Sequence, residues 1–394
     1  MLDKNGVRQL AYVAKIGWVR PIEGADNIEL VGVNGWSCIA KIGEFKEGDL
    51  CVYFEIDSKL PEADWSEFLA PKHYKVKTMK LNRFKVISQG LALPFSAFGW
   101  ATDKYNEGDF LTEVLGVTYS VEEDNKRKAP SMDKYKKMAA RHPEVFKKPF
   151  VKWLYKRNWG KKILFVFYGK KKDNTSWPAW VVKTDEERIQ NMPWILNDKE
   201  RWFATEKIDG TSTTFTMKGW GKKREFYVCS RNVVFDKPNK GCFYDINVYT
   251  EMAEKYNMEH VLSCLMEYFE NIKNNVSFVT IQGETYGATV QKRDYGMKDR
   301  DLCVFNVIIG YNDGSTVRLN PREMKVVLSD YNIPIVPIVE EGYVLPDTVE
   351  ELLTFATGTS EIDGGMREGL VFRSYDGAKS FKAVSNEFLL KYHQ

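Results

Sequence analysis

Lys207 stands in Thr205-Glu206-Lys207-Ile208-Asp209-Gly210-Thr211-Ser212, between a carboxylate and an Asp-Gly turn. A lysine is a poor nucleophile while protonated, because its free pKa is about 10.4. Partial burial with a cation bound nearby favours the neutral amine, which can attack an electrophile. Asp209, two residues on, is placed to orient such a cation directly or through water. Gly210 permits a tight turn and a close approach of the backbone to a ligand. Trp202 and Phe203 before it, and Thr213, Thr214 and Phe215 after it, put this lysine at a strand end. Taken alone, the tetrapeptide also describes an exposed lysine before a glycine turn.

Five segments further along the chain decide between these readings. Ser230-Arg231-Asn232 offers an arginine in a loop after a strand. Gln282-Gly283-Glu284-Thr285-Tyr286-Gly287 ends a strand with a carboxylate between glycines, and Cys303-Val304-Phe305-Asn306-Val307 sets one aromatic in an apolar strand. Arg367-Glu368-Gly369-Leu370-Val371-Phe372-Arg373 opens a strand with a carboxylate, and Lys379-Ser380-Phe381-Lys382-Ala383-Val384 closes the set. Asp376-Gly377 between the last two makes a hairpin, which brings Glu368 and Lys382 onto neighbouring strands.

The elements that must position these residues follow from periodicity and turn chemistry. Residues 1–118 read as short strands at Ala11–Arg20, Ile28–Val33, Trp36–Ile42, Asp49–Ile56 and Val76–Ile87. Asn34-Gly35 is the strongest turn signal among them, a type I′ hairpin. Five strands in such a length suggest a small OB-type barrel. Lys75, Lys77, Lys80 and Arg83 would form a phosphate-tracking face on it, or else a lysine-blunted edge strand. Residues 119–175 are a basic segment: seventeen Lys/Arg stand against two acids between Lys126 and Lys172, interleaved with aromatics. That mixture suits nucleic acid or a charged, partly helical linker. Residues 176–394 read as mixed α and β. A helical pattern runs over 245–275, broken near Asn257, and a second helix opens at Asp347-Thr348-Val349-Glu350. Strands are expected at 277–283, 302–309, 334–339, 369–375 and 379–384.

Composition is that of a globular chain, 43% apolar and 28% charged over 394 residues. No apolar run approaches the length of a membrane span, and Met1–Arg20 lacks a signal-peptide pattern. Six scattered cysteines without a Cys-x-x-Cys pair read as reduced intracellular thiols and not as a zinc site. Four histidines, none near another, argue against His-based catalysis.

The six segments resemble, in type and order, the nucleotidyltransferase motifs of ATP-dependent RNA ligases, DNA ligases and mRNA capping enzymes. The N-terminal part resembles the OB domain that precedes the catalytic domain in one RNA ligase clade. Pro21-Ile22-Glu23-Gly24-Ala25-Asp26, Phe54-Glu55-Ile56-Asp57-Ser58-Lys59-Leu60-Pro61 and Ser88-Gln89-Gly90-Leu91 carry that likeness, and Lys183–Asn191 resembles the segment before the nucleophile. The resemblance implies an α+β protein: an OB-type β-barrel, then an ATP-grasp-like nucleotidyltransferase domain of antiparallel sheets and helices. DNA ligases and capping guanylyltransferases carry an OB domain after the last motif, whereas twelve residues follow Lys382 here and the OB candidate comes first. That order favours an RNA ligase.

By the same resemblance Lys207 attacks ATP to form lysyl-AMP, AMP then caps an RNA 5′-phosphate, and a 3′-OH displaces it, as RNA repair requires. Asp209, Glu284 and Glu368 would hold Mg²⁺ or Mn²⁺, largely through its waters, with Glu284 also on the ribose. Phe305 would stack on adenine, and Glu206 and Ile208 would present backbone to its edge. Arg231, Lys382 and Arg188 would neutralise phosphate charge. Some relatives carry a second lysine where this chain has Ser380, and the sequence does not decide whether the neighbouring Lys379 substitutes for it. The implied partner is RNA with 3′-OH and 5′-phosphate ends, as in a nicked duplex. A fragment from about 176 onward should contain the whole ATP pocket. A non-catalytic RNA-binding protein on this fold would normally lack the lysine or a metal carboxylate, and neither is missing.

Overall fold

The structure, a computed structural model, describes residues 1–3, 6–119, 135, 143–168, 177–235 and 247–392. Most of the chain between 120 and 142, and all of 169–176, lie outside them, and so does the expected C-terminal boundary of the basic segment. Among the described residues the chain is α+β.

Five antiparallel strands form the N-terminal OB-fold sheet, in the order Trp36–Lys41, Ile28–Val33, Ala11–Pro21, Leu50–Phe54, Leu91–Pro94. Asn34 and Gly35 both take positive φ, +49° and +76°, as a type I′ turn demands, and pair Val33 with Trp36. One continuous strand over Val76–Ile87 does not form. Met79–Leu81 and Val86–Ser88 pair as a hairpin instead, turning through Asn82–Lys85 with Lys85 at φ +53°. Lys75 is correspondingly not on a phosphate-tracking face: its residue is 4% exposed. Lys80 donates to the Leu389 carbonyl of the C-terminal helix, while Lys77 and Arg83 remain exposed.

Two antiparallel sheets build the rest. The six-stranded sheet runs Val234–Phe235, Glu225–Cys229, Thr211–Lys218, Val276–Gly287, Arg300–Tyr311, Thr316–Arg318. Its apolar face packs on the helices Val248–Lys255 and Met258–Ile272 through Phe215, Met217, Val261, Leu265 and Ile281. Those helices part at Asn257, whose φ of +47° ends the first and begins the second. The four-stranded sheet runs Ile338–Val344, Arg201–Lys207, Gly369–Ser374, Ser380–Val384. Trp202, Phe372 and Phe381 cover its core with the helix Val349–Ala356, capped by Thr348 and Glu351 reciprocally. The strand expected at 334–339 starts later, at Ile338, because Pro334 and Pro337 lack the N–H a ladder needs.

Described parts of the basic segment include the helices Pro149–Tyr155 and Asn158–Tyr168. No described helix is long and apolar enough to cross a membrane.

Candidate active site

Lys207 is the last residue of its strand, and the chain leaves it through Ile208-Asp209-Gly210 into the first long strand of the other sheet. The turn therefore bridges the two sheets and sets its side chains in the cleft between them. Lys207 pairs across the ladder with Gly369, which puts it beside Glu368; Ser212 pairs with Glu284. Gly210 is required by packing: a Cβ there would lie 2.3 Å from the Thr285 carbonyl oxygen and 2.9 Å from Glu284 Cγ. The close approach it permits is to a neighbouring strand, where the sequence suggested a ligand.

A cavity of about 400 Å³ opens over this turn. Lys207, Asp209, Arg231, Glu284, Phe305 and Lys382 line it, with Glu206 and Ile208 contributing strand-end backbone. Glu368 closes on the lysine from one side, both carboxylate oxygens 2.8 Å from Nζ. Arg231 reaches the rim in a two-point contact with Asp185, Nη2 to Oδ1 at 2.6 Å. The Glu206 N–H donates to the Pro337 carbonyl at 2.9 Å and is therefore not free to meet a ligand. Arg188 lies outside the cavity lining, in a bridge alongside Lys382, with its guanidinium 5.6 Å from the Trp36 ring of the OB domain. Lys379 faces away and pairs with Asp198 and Glu200, so it does not substitute for a lysine at 380.

Sequence reading missed Glu186 and Arg373. Arg373 is buried, donates to the Phe305 carbonyl at 2.8 Å and meets Glu186 at 3.1 Å; Ser380, its partner across the ladder, also donates to Glu186. A cation thus stands beside Ser380 after all, supplied by the neighbouring strand. Arg373 closes the motif that Glu368 opens, so its alternation with Val371 was the available signal.

The electrostatics are those of a charge cluster poised around one amine. Burial pushes Lys207 down, but the Glu368, Glu284 and Asp209 carboxylates outweigh it and hold the amine above its usual value. Burial pushes the Glu284 carboxyl up to about 8, against the pull of Lys207. Burial also pushes the Lys382 amine down, helped by Lys207 and Arg188. The donor set is all oxygen and suits a hard cation. No three described His, Cys, Asp or Glu side chains converge tightly enough to ligate one ion directly, an arrangement that fits an ion keeping part of its water shell.

Glu284 makes a pH prediction. Its folded value is raised, so its contribution to stability is whole at acid pH and is lost as pH rises through about 8. In metal-free buffer the melting temperature should fall between about pH 5 and about pH 8 and level off above that, and Glu284→Gln should flatten the fall. Parallel curves for the two proteins would show Glu284 already ionised at neutral pH.

A profile of the RNA ligase family matches residues 200–393, and one of an OB-fold domain matches residues 10–95. The chain belongs to the RNA ligase family. It is similar over its length to Naegleria gruberi RNA ligase, solved as a lysine-to-alanine mutant with ATP and Mn: 27% identity, 98% of this chain and 99% of that one, TM-score 0.62. The same enzyme solved with PPi is 29% identical, with 98% and 99% covered and a TM-score of 0.61. Mutants solved for that ligase replace a lysine and an aspartate two positions later, and a glutamate and a lysine fourteen positions apart. Lys207 and Asp209, and Glu368 and Lys382, have those spacings here. No curated protein matches the chain significantly.

Proposed function

We propose that this RNA ligase homologue seals RNA 3′-OH and 5′-phosphate ends through covalent AMP transfer at Lys207, with ATP as the AMP donor. The observation that carries the reading is the Lys207 amine, faced by three carboxylates, in a cavity sized for a nucleotide that Arg231, Arg373 and Lys382 also line. The spacings shared with the residues mutated in the Naegleria enzyme support the same assignment.

Phe305 offers a ring to one face of adenine, while the Glu206 carbonyl and Ile208 backbone meet its edge. Arg231 and Lys382 meet the phosphates, and Arg188 acts on them from behind Lys382. Asp209, Glu284 and Glu368 would hold Mg²⁺ or Mn²⁺. When bound, that ion supplies positive charge against phosphate and carboxylate oxygens. Lys207 is paired with Glu368 and protonated at rest; once Glu368 and its neighbours have their charge neutralised, Nζ gives its proton to solvent water readily. The neutral amine then attacks the α-phosphorus. The N–P bond forms as the bond to the β-phosphate oxygen breaks, and pyrophosphate leaves with the electron pair. An RNA 5′-phosphate oxygen next displaces Lys207, which regains its proton. The 3′-OH finally attacks that phosphate, and AMP departs.

Incubation with labelled ATP, GTP or NAD followed by denaturing electrophoresis tests the first step. Label from ATP alone is expected; label from GTP would point to capping chemistry, and none at all would end the reading. Nicked duplexes with either strand as RNA or DNA test the rest. Sealing should need ribonucleotides on the 3′-OH side, where a 2′-OH helps orient the attacking oxygen, and should tolerate DNA on the 5′-phosphate side. Equal sealing of all-DNA nicks would make it a DNA ligase.

A further inference from the structure

The loop 288–299, between the strands Val276–Gly287 and Arg300–Tyr311, touches both segments that bear the central carboxylates. Tyr295 on it is 4% exposed and takes φ +55°, a conformation that a bulky residue adopts only when its surroundings compel it. Its hydroxyl accepts a 2.7 Å hydrogen bond from the Asp209 backbone N–H. Gln291 donates through Nε2 to the Gly210 carbonyl at 2.9 Å, so the loop grips two successive residues of the Lys207–Gly210 turn. Arg293, buried between them, lies 4.0 Å over the Tyr295 ring and forms a 2.6 Å ion pair with Asp363. It also donates to the Met366 carbonyl, two residues before Glu368.

We propose that Tyr295 and Arg293 are positioning residues that fix the separation of Asp209 and Glu368, and so set how tightly the site takes a divalent cation. The physical reason is that Asp209 and Glu368 both lie beyond the end of the strand ladder, whose last pair is Lys207 and Gly369. No ladder hydrogen bond joins the turn at Asp209 to the segment at Met366, whereas one rigid arginine–tyrosine stack reaches both. A flexible turn would spend part of its time with Asp209 displaced, and each displaced state lowers the apparent affinity for the ion.

The inference rests on the reading of Asp209, Glu284 and Glu368 as the cation site, and its test has a readout apart from catalysis. Full-length protein is titrated with Mn²⁺ in the presence of α,β-methylene-ATP, and the half-saturating Mn²⁺ is read from the shift in melting temperature. Self-adenylylation with ATP is followed over the same Mn²⁺ range. Tyr295→Phe keeps the ring and deletes the acceptor, so half-saturating Mn²⁺ should rise about fivefold to tenfold in both measurements, the worth of one net hydrogen bond. Saturating Mn²⁺ should restore the rate, which a merely structural loss would not allow. Gln291→Ala, an exposed position, should move the same readouts in the same direction by less, and guards against misfolding of the first variant. Wild-type Mn²⁺ dependence in a folded Tyr295→Phe protein, or a lost rate that Mn²⁺ does not restore, overturns the proposal. Wild-type protein with no Mn²⁺ shift overturns the cation site and the proposal together. A Mn²⁺ shift without AMP transfer overturns only the ligase reading, and the thermal shifts of the variants then decide the proposal alone.

Discussion

Lys207→Ala should abolish covalent labelling by ATP below detection and leave the chain folded. The competing amine is Lys382, which lines the same cavity and whose pKa burial pushes down, so it is the more readily neutral of the two. Neutrality alone does not make it the nucleophile. Lys382 is flanked by Lys207 and Arg188, cations suited to phosphate, whereas Lys207 is ringed by the carboxylates suited to the metal. The attacking group has to be activated where the α-phosphorus is also activated, and that is the carboxylate side. Peptide mapping of the labelled wild-type chain, alongside the alanine variant, checks this. Label on Lys382, or residual label in the variant, would transfer the nucleophile's role.

Deleting residues 1–118 should cost more than a lost RNA contact. Sealing of 5′-phosphate ends should fall by about a hundredfold or more, since the RNA ends are no longer held in place. Read from sequence, a fragment starting near 176 holds every motif and should adenylylate itself unimpaired. The docking of the domains argues otherwise. The Gly35 N–H donates to Glu350 at 3.0 Å, the Leu2 N–H to the Asn191 carbonyl at 2.6 Å, and Trp36 lies against Arg188. Arg188 and Glu187 run beside the Lys382 strand, where the Lys382 N–H donates to the Glu187 carbonyl at 2.7 Å. Loss of the OB domain thus frees one wall of the segment that backs Lys382. The fragment should melt earlier and adenylylate more slowly. A fragment that labels at the full rate would show that this contact positions nothing.

The catalytic strands were largely legible in the sequence because their residues obey local rules. Gly369–Ser374 is a short apolar run and Ser380–Val384 alternates after an Asp-Gly turn, and Asn257 breaks its helix by a backbone preference visible in one residue. Lys207, Glu284 and Phe305 could be placed at strand ends or within strands, and ladder register then gathers them. What escaped depended on distant partners. Lys75 reads as one more surface lysine, and its burial follows from packing of the loop before the hairpin. Arg373 reads as an outward strand residue until Glu186, far away in sequence, is brought beside it. Tyr295 lies in a loop whose composition says only that it turns, and its left-handed backbone follows from contacts on both sheets. Arg188, expected as a helper at the phosphates, lies outside the cavity lining beside Lys382, with its guanidinium against Trp36 of the OB domain, a contact that depends on a distant partner.

The Asn34-Gly35 turn has a bearing on how such chains diverge. A Cβ at position 35 would lie 2.4 Å from Val349 Cγ1, so this turn seats directly on the helix Val349–Ala356. Glycine there satisfies two demands at once, a positive φ and a bare contact surface. Substitution at either 35 or 349 therefore constrains the other, and the two positions should drift as a pair. An OB domain grafted from a distant ligase would bring its own turn to a helix shaped for this one. The domains are linked by a long basic segment, yet they are not interchangeable parts.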